Sequence, residues 1–165
     1  MLNVVHEVVS KAQSGEVDVS FCGEGAVHEP VRGTHRSAGQ PLAAHAGVPV
    51  VNMLSPLHHP CQALADLMTL REAFGSLEGR RLAYVGDGNN VARSLSVACG
   101  KFGIRFVLAS PNSYSLPQED VDRIMTQLPD MDFVYTTDPA EAVRDADAVY
   151  TDTWVSMGQE AEKAR

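Results

Sequence analysis

Three short stretches of the sequence carry residue types that could bind a small polar molecule. They lie at 58–62 (HHPCQ), 86–90 (GDGNN) and 152–158 (DTWVSMG). Together they offer imidazole and amide groups for a carbonyl or an anion, and a carboxylate for an ammonium group. The three stretches therefore predict a site for small polar molecules, provided that the fold brings them together.

The first stretch opens a predicted helix from Pro60 to about Phe74, since proline suits the first helical position. His59 then lies at the N-cap and Gln62 at N3, beside unpaired N–H groups that can hold an anion. This set favours a small phosphate ester or acyl phosphate; the alternative is that His59 and Gln62 only cap the helix. A helix N-terminus would lower the pKa of the Cys61 thiol, but the sequence places no base beside it, so a nucleophilic role is disfavoured.

The second stretch follows the apolar run Leu82–Val85 and precedes an amphipathic pattern, which predicts a strand, a tight turn and a helix. As a dinucleotide fingerprint it is incomplete, because Val91 occupies the third glycine position. The next predicted strand also leads into Ser110 where a ribose-binding acid is expected. NAD binding is therefore disfavoured, and the open alternatives are a ligand-binding amide on Asn89 or Asn90 and a simple helix cap.

The third stretch follows the last predicted strand. An aspartate at a strand's carboxyl end faces the crevice of such a sheet, so Asp152 could pair with a ligand ammonium group. The alternative is an ordinary turn and helix cap, with Trp154 packed for stability.

The elements that must position these residues alternate between strands and helices. Apolar runs predict strands at 48–52, 82–85, 105–109, 133–136 and 148–151, and helical patterns begin near residues 60, 91, 117, 138 and 158. Strands joined by helical crossovers predict an α/β fold, a doubly wound and mostly parallel sheet with helices on both faces.

The bulk composition narrows the class of partners. The chain has 165 residues and a net charge of −8, which disfavours nucleic acid and anionic membranes as partners. Its three cysteines are widely spaced with no CxxC pair, which predicts a reducing compartment and no zinc site. With no long apolar run and no signal-peptide pattern, we expect a cytoplasmic protein.

Taken together, the motifs resemble those of ornithine carbamoyltransferases, in the aspartate/ornithine carbamoyltransferase family. The similarity rests on HPCQALADL at 59–67, VGDGNNV at 85–91 and YTDTWVSMGQE at 150–160. It implies that the chain consists of three parts. They are the remnant of a carbamoyl-phosphate-binding domain (1–58, with 1–40 poorly matched), a linking helix (59–76) and a Rossmann-like ornithine-binding domain truncated at its C-terminus (77–165).

The resemblance also implies a reaction, in which the carbamoyl group of carbamoyl phosphate moves to the side-chain amine of L-ornithine, giving L-citrulline and phosphate in arginine biosynthesis. The carbamoyl-phosphate-binding residues would be His59, Gln62 and, by position counted back from the strand-end asparagine, Arg32. The ornithine-binding residues would be Asn90, Asp152, Ser156 and Met157. No metal, no cofactor and no covalent enzyme intermediate is implied, no catalytic residue is assigned, and the family typically forms homotrimers.

Two family motifs do not occur in this sequence. They are the phosphate-binding Ser-Thr-Arg-Thr loop and the His-Cys-Leu-Pro motif. We therefore expect an incomplete form of the enzyme. The alternatives are a non-catalytic amino-acid-binding module, a degenerate homologue that retains only the ornithine pocket, and a structural remnant with an exposed apolar surface.

Overall fold

The computed structural model describes residues 21–22 and 51–152 of the chain. Strand β1 (Phe21–Cys22) pairs in parallel with strand β2 (Val51–Asn52), which is the end of the strand predicted at 48–52. The helix predicted near Gly158 lies outside the described residues.

A four-stranded parallel sheet forms the centre of the described part. Its strands are β3 (Arg81–Val85), β4 (Arg105–Ala109), β5 (Phe133–Thr136) and β6 (Ala148–Thr151). They lie in the order β5-β4-β3-β6, and every pairing is parallel. After β3, the chain adds β4 and then β5 on one side of β3, and then returns to add β6 on the other side of β3. The crevice between β3 and β6 is therefore the topological switch point of the sheet. The predicted α/β fold class is confirmed.

Helices connect the strands, as predicted. They are α1 (Pro60–Phe74), α2 (Asn90–Lys101), α3 (Gln118–Gln127) and α4 (Pro139–Val143). Helix α3 begins one residue later than predicted, because Pro117 takes the N-cap position. At the end of α2, Gly103 adopts φ +67 and the Ile104 N–H group donates to the Cys99 carbonyl at 2.9 Å, which closes the helix.

Large apolar side chains cover one face of the sheet and small ones cover the other. Strand alternation sends Leu82, Tyr84, Phe106 and Leu108 to the face on which α1 and α2 pack, and Ala83, Val107 and Ala109 to the face under α4. Leu67 of α1 and Leu95 of α2 are fully buried in the larger core. This packing holds the first turn of α1 beside the first turns of α2, at the end of the sheet where polar residues gather.

Candidate functional site

The polar residues gather where β3 and β6 end. Val85 and Thr151 are register partners, so the turn after β3 and Asp152 after β6 leave the sheet side by side. A Cβ on Gly86 would lie 3.9 Å from the backbone nitrogen of Asp152. This is the switch point of the sheet, where parallel α/β folds bind their ligands.

Asn89 joins the turn to Asp152. Its side-chain oxygen accepts from the N–H groups of Val91 at 2.9 Å and Ala92 at 3.2 Å, which caps α2. Its amide nitrogen donates to Asp152 Oδ2 at 2.7 Å. One side chain therefore both caps the helix and holds the carboxylate: the helix cap is confirmed for Asn89, and a ligand-binding amide stays a prediction.

Asn90, the predicted ornithine-binding residue, points its amide toward the loop after β2. Its Nδ2 donates to the Ser55 carbonyl at 2.8 Å. One turn further along α2, the Ser94 hydroxyl donates to the Asn90 carbonyl at 2.8 Å and accepts from the His59 N–H group at 2.8 Å. Arg93, on the same side of the helix, donates to the Leu57 carbonyl at 2.8 Å. The start of α2 thus holds the loop that delivers His59.

The imidazole of His59 has an unused nitrogen. His59 occupies the N-cap position of α1, but its side chain makes no capping hydrogen bond, so the capping alternative is wrong for this residue. Nδ1 is buried and has no hydrogen-bond partner in the part of the chain that the structure describes. A buried polar atom of this kind is where a ligand's hydrogen bond is expected.

Gln62 is tied to an acid that the sequence analysis did not single out. Its amide nitrogen donates to Asp66 Oδ1 at 2.8 Å, while Asp66 Oδ2 is buried and makes no hydrogen bond within the described residues. Burial raises the pKa of the Asp66 carboxyl, and the charge of Asp152 raises it further, against the lowering effects of Gln62, His59 and Tyr150. Asp66 thus lies within electrostatic reach of both the α1 side and the β6 side of the site.

Two stacked tyrosines lie behind these residues. The rings of Tyr84 and Tyr150 are 5.3 Å apart at 12°, on register partners of β3 and β6. Burial, together with the charges of Asp66 and Asp152, raises the pKa of Tyr150 to about 12, and burial also raises the pKa of Tyr84. Both hydroxyls therefore stay protonated at neutral pH and act as hydrogen-bond groups rather than charges.

The expectation that the helix N-terminus lowers the pKa of Cys61 is wrong. Burial raises the pKa of this thiol, and its Sγ faces the Asn52 carbonyl at 3.7 Å. The helix start does not offset that burial, so the thiol remains protonated and a nucleophilic role is not supported.

Three predicted site residues, Arg32, Ser156 and Met157, lie outside the described residues. Within 21–22 and 51–152, no group of three or more His, Cys, Asp or Glu side chains is arranged to hold a metal ion. The same residues contain no helix that is long and apolar enough to span a membrane.

A parallel sheet with amides, a histidine and carboxylates at its switch point defines an α/β protein with a site for small polar molecules. Comparison with known families refines that class. The model of the Asp/Orn binding domain of aspartate/ornithine carbamoyltransferases matches residues 78–165, and that of their carbamoyl-P binding domain matches residues 28–72. The chain therefore belongs to the aspartate/ornithine carbamoyltransferase family.

Individual relatives agree with this assignment. The ornithine carbamoyltransferase of Anoxybacillus flavithermus is 51% identical over 124 residues, 73% of this chain and 39% of that protein. That of Acidothermus cellulolyticus is 53% identical over 125 residues, 74% of this chain and 40% of that protein. The Pyrococcus furiosus ornithine carbamoyltransferase structure gives a TM-score of 0.68 at 47% identity, over 74% of this chain and 40% of its own. This chain thus spans about two fifths of the length of the curated relatives it matches.

Proposed function

We propose that this chain is part of an ornithine carbamoyltransferase. The reaction is the transfer of the carbamoyl group from carbamoyl phosphate to the side-chain amine of L-ornithine, giving L-citrulline and phosphate. The observation that carries the proposal is the grouping of His59 and Gln62 at the start of α1 with Asn89 and Asp152 at the end of the sheet, on either side of Asp66. The identity to relatives named ornithine carbamoyltransferase supports it.

The carbamoyl-phosphate side of the site is assigned to the start of α1. His59, as the Nδ1–H tautomer, would donate its unused hydrogen bond to the carbamoyl oxygen. Gln62 would bind the carbamoyl amide, and the free N–H groups of the first helical turn suit the phosphate. Arg32 would add a cation for the phosphate.

The ornithine side is assigned to the end of β6 and the residues after it. Asp152, oriented by the amide of Asn89, would pair with the α-ammonium group of ornithine. Asn90, Ser156 and Met157 would complete that side of the pocket.

The chemistry requires positioning more than a reactive side chain. The ornithine amine attacks the carbamoyl carbon, a C–N bond forms, and the carbonyl oxygen becomes an oxyanion. Collapse of this intermediate breaks the C–O bond to phosphate, which leaves with the electron pair and takes up the amine proton. A hydrogen bond from Nδ1 of His59 to the developing oxyanion would stabilise this intermediate, and the two bound substrates supply the proximity.

The organisation of the whole chain follows from the same proposal. Residues 1–58 would belong to the carbamoyl-phosphate domain, 59–76 to the linking helix and 77–165 to the ornithine domain. A homotrimer is the assembly we propose, and the odd number and wide spacing of the three cysteines support a cytoplasmic location.

The direct test is citrulline formation by the purified chain, supplied with ornithine and carbamoyl phosphate. We expect His59→Ala to abolish turnover, because the imidazole of His59 is the proposed donor to the carbamoyl oxygen. The matched control is His58→Ala, which removes an exposed imidazole from the same loop. Equal turnover by the two variants would contradict the role given to His59, and a folded parent chain that binds neither ornithine nor carbamoyl phosphate would contradict the proposal.

A non-catalytic amino-acid-binding module is the second candidate. It is favoured by the Asn89–Asp152 pair, which the described residues form without any group from the carbamoyl-phosphate side of the site. Titration calorimetry with ornithine separates the candidates: ornithine binding without turnover, abolished by Asp152→Ala and kept by Asp132→Ala at an exposed position, would support the module.

A further inference from the structure

Asp66 contacts Gln62 but has no role in the proposed reaction so far. It lies one helical turn after Gln62 on α1 and is half-buried rather than facing solvent. Charged and titratable groups face it from every side: His59 on α1, Tyr150 on β6, Asp152 after β6 and Cys99 on α2. This surrounding is that of a site carboxylate and not of a surface helix pair.

The contact with Asp66 decides which end of the Gln62 amide faces the site. An ionised carboxylate only accepts hydrogen bonds, so the group that Gln62 turns toward Asp66 must be its NH2, in agreement with the 2.8 Å contact from Nε2. The carbonyl oxygen of Gln62 is left to point elsewhere, and within the described residues it accepts no hydrogen bond from the protein. Gln62 therefore offers an acceptor to any ligand bound at the start of α1.

An acceptor at that position distinguishes between acyl phosphates. Carbamoyl phosphate carries an NH2 group that can donate to the Gln62 oxygen. Acetyl phosphate has nearly the same shape but carries a methyl group that cannot donate, and it would leave the acceptor unpaired. Sites built to pair a ligand N–H group reject the analogue that lacks it much more strongly than apolar pockets reject a similar shape.

We propose that Asp66 is a positioning residue that fixes the Gln62 amide with its oxygen toward the donor substrate, and so selects carbamoyl phosphate over acetyl phosphate. The inference rests on the proposed function, because it concerns the same site. The arrangement is supported by the 2.8 Å contact between the Gln62 amide and Asp66 Oδ1 and by the burial of Asp66 Oδ2, with the Tyr150 hydroxyl as a second hydrogen-bond group beside this carboxylate.

The orientation also depends on the charge of Asp66. A protonated carboxyl can donate a hydrogen bond, and the Gln62 amide could then turn its oxygen toward Asp66. Selection for the carbamoyl donor should therefore decline at acid pH, as Asp66 takes up a proton. Because burial raises the pKa of Asp66, this decline should begin at a higher pH than it would for an exposed aspartate.

The experiment combines a structural and a specificity measurement on the full chain. The side-chain NH2 resonances of Gln62 are followed by NMR from pH 7 downward in the parent, in Asp66→Asn and in the exposed control Asp130→Asn. We expect them to titrate with Asp66 in the parent and the control and to be pH-independent in Asp66→Asn. Gln62 resonances that ignore pH in the parent would overturn the positioning role.

The specificity measurement compares carbamoyl phosphate with acetyl phosphate at pH 7.5, by affinity and, where citrulline forms, by kcat/KM. We expect Asp66→Asn, whose amide tolerates both orientations of Gln62, to reduce the preference for carbamoyl phosphate at least tenfold, and Asp130→Asn to keep it. A folded Asp66→Asn with unchanged preference, or a parent that binds both donors equally, overturns the selection by Asp66. A parent that binds neither donor overturns the proposed function as well, and the NMR titration then reports separately on the Gln62–Asp66 contact.

Discussion

The turn after β3 leaves no room for a side chain at Gly88, so Gly88→Ala tests how rigidly the site is built. An added Cβ would lie 2.3 Å from the backbone nitrogen of Leu116, 2.5 Å from the carbonyl carbon of Ser115 and 2.9 Å from the carbonyl oxygen of Tyr114. The Gly88 N–H group also donates to the Tyr114 carbonyl at 2.6 Å. Since these are all backbone atoms, no side-chain rotation can relieve the overlap.

The size of the effect follows from the distance that must be gained. Ordinary contact begins near 3.4 Å, so the 114–116 segment or the turn must move by roughly 1 Å. We expect a loss of about 3 kcal/mol in the free energy of unfolding, at the upper end of the usual overpacking range. For a chain of this length that corresponds to a decrease of roughly 6–12 °C in Tm. Asn89 and Asn90 follow directly, so ornithine binding should weaken as well.

Urea unfolding followed by circular dichroism measures this loss, and Gly100→Ala is the matched control. Its added Cβ would also meet atoms at 2.9 Å, but these are the ends of the flexible Leu128 and Met131 side chains. Alanine stabilises a helix by about 1 kcal/mol relative to glycine. Since this offsets the cost of moving the two side chains, we expect Gly100→Ala to be nearly neutral. Equal urea midpoints for the two variants would refute the reasoning that the turn is rigid.

Three further predictions concern polar contacts. Asn89→Ala should cost about 1–2 kcal/mol in urea unfolding through the lost cap and abolish ornithine binding in calorimetry; Asn89→Asp should keep the cap yet still weaken binding, since it sets a second carboxylate against Asp152. Asp120→Leu alone should cost about 3–5 kcal/mol, because it leaves the largely buried charge of Arg93 without its carboxylate; Arg93→Met should cost less, since Arg123 still faces Asp120 at 3.5 Å; the double variant should lose less than Asp120→Leu, and additive losses would contradict this. A backbone N–H group of β3, and then a nearby guanidinium, lower the pKa of Asp147. It therefore stabilises the fold above its unfolded pKa of about 4, and its advantage over Asp147→Asn in urea should vanish as pH falls through the lower folded pKa.

Strands β3 and β4 were predictable because they are central to a parallel sheet, whereas β5 and β6 lie at its edges. A strand buried on both faces is a continuous apolar run, and turn residues mark where it stops. The predicted bounds of β4, β5 and β6 agree with the structure, and β3 begins one residue earlier than predicted. The strands were predicted from these boundaries rather than from the charge or the length of each segment.

The site was predictable only in part, since its geometry depends on contacts between distant segments. The sequence could not distinguish Asn89 from Asn90, because both are amides at the start of one helix. The strand order sets β6 next to β3, so that the amide of Asn89 lies 2.7 Å from Asp152, and ornithine binding by Asn90 stays a prediction. Cys61 was misjudged for a related reason, because the pattern shows the helix start but not the burial that raises the thiol pKa.

Asp66 had a weak signal in the sequence. It lies four residues after Gln62, a spacing at which helical side chains meet, but an acid and an amide at that spacing usually pair on a solvated surface. Only the packing of α1 against α2 and the approach of Tyr150 from β6 turn the pair inward. A sequence pattern indicates which residues can touch along one helix. It does not indicate which of those contacts are buried by the rest of the chain.

The start of α2 connects the two halves of the site. On one side, Asn89 caps this helix and holds Asp152. On another, Asn90 and Ser94 hold the loop and the backbone of His59 through hydrogen bonds of 2.8 Å. A displacement of this helix end would therefore move both Asp152, the proposed partner of the ornithine ammonium group, and His59, the proposed hydrogen-bond donor to carbamoyl phosphate. In a reaction that depends on bringing an amine to a carbamoyl carbon, shared support of this kind fixes the relative position of the two substrates, which is the quantity that matters for rate.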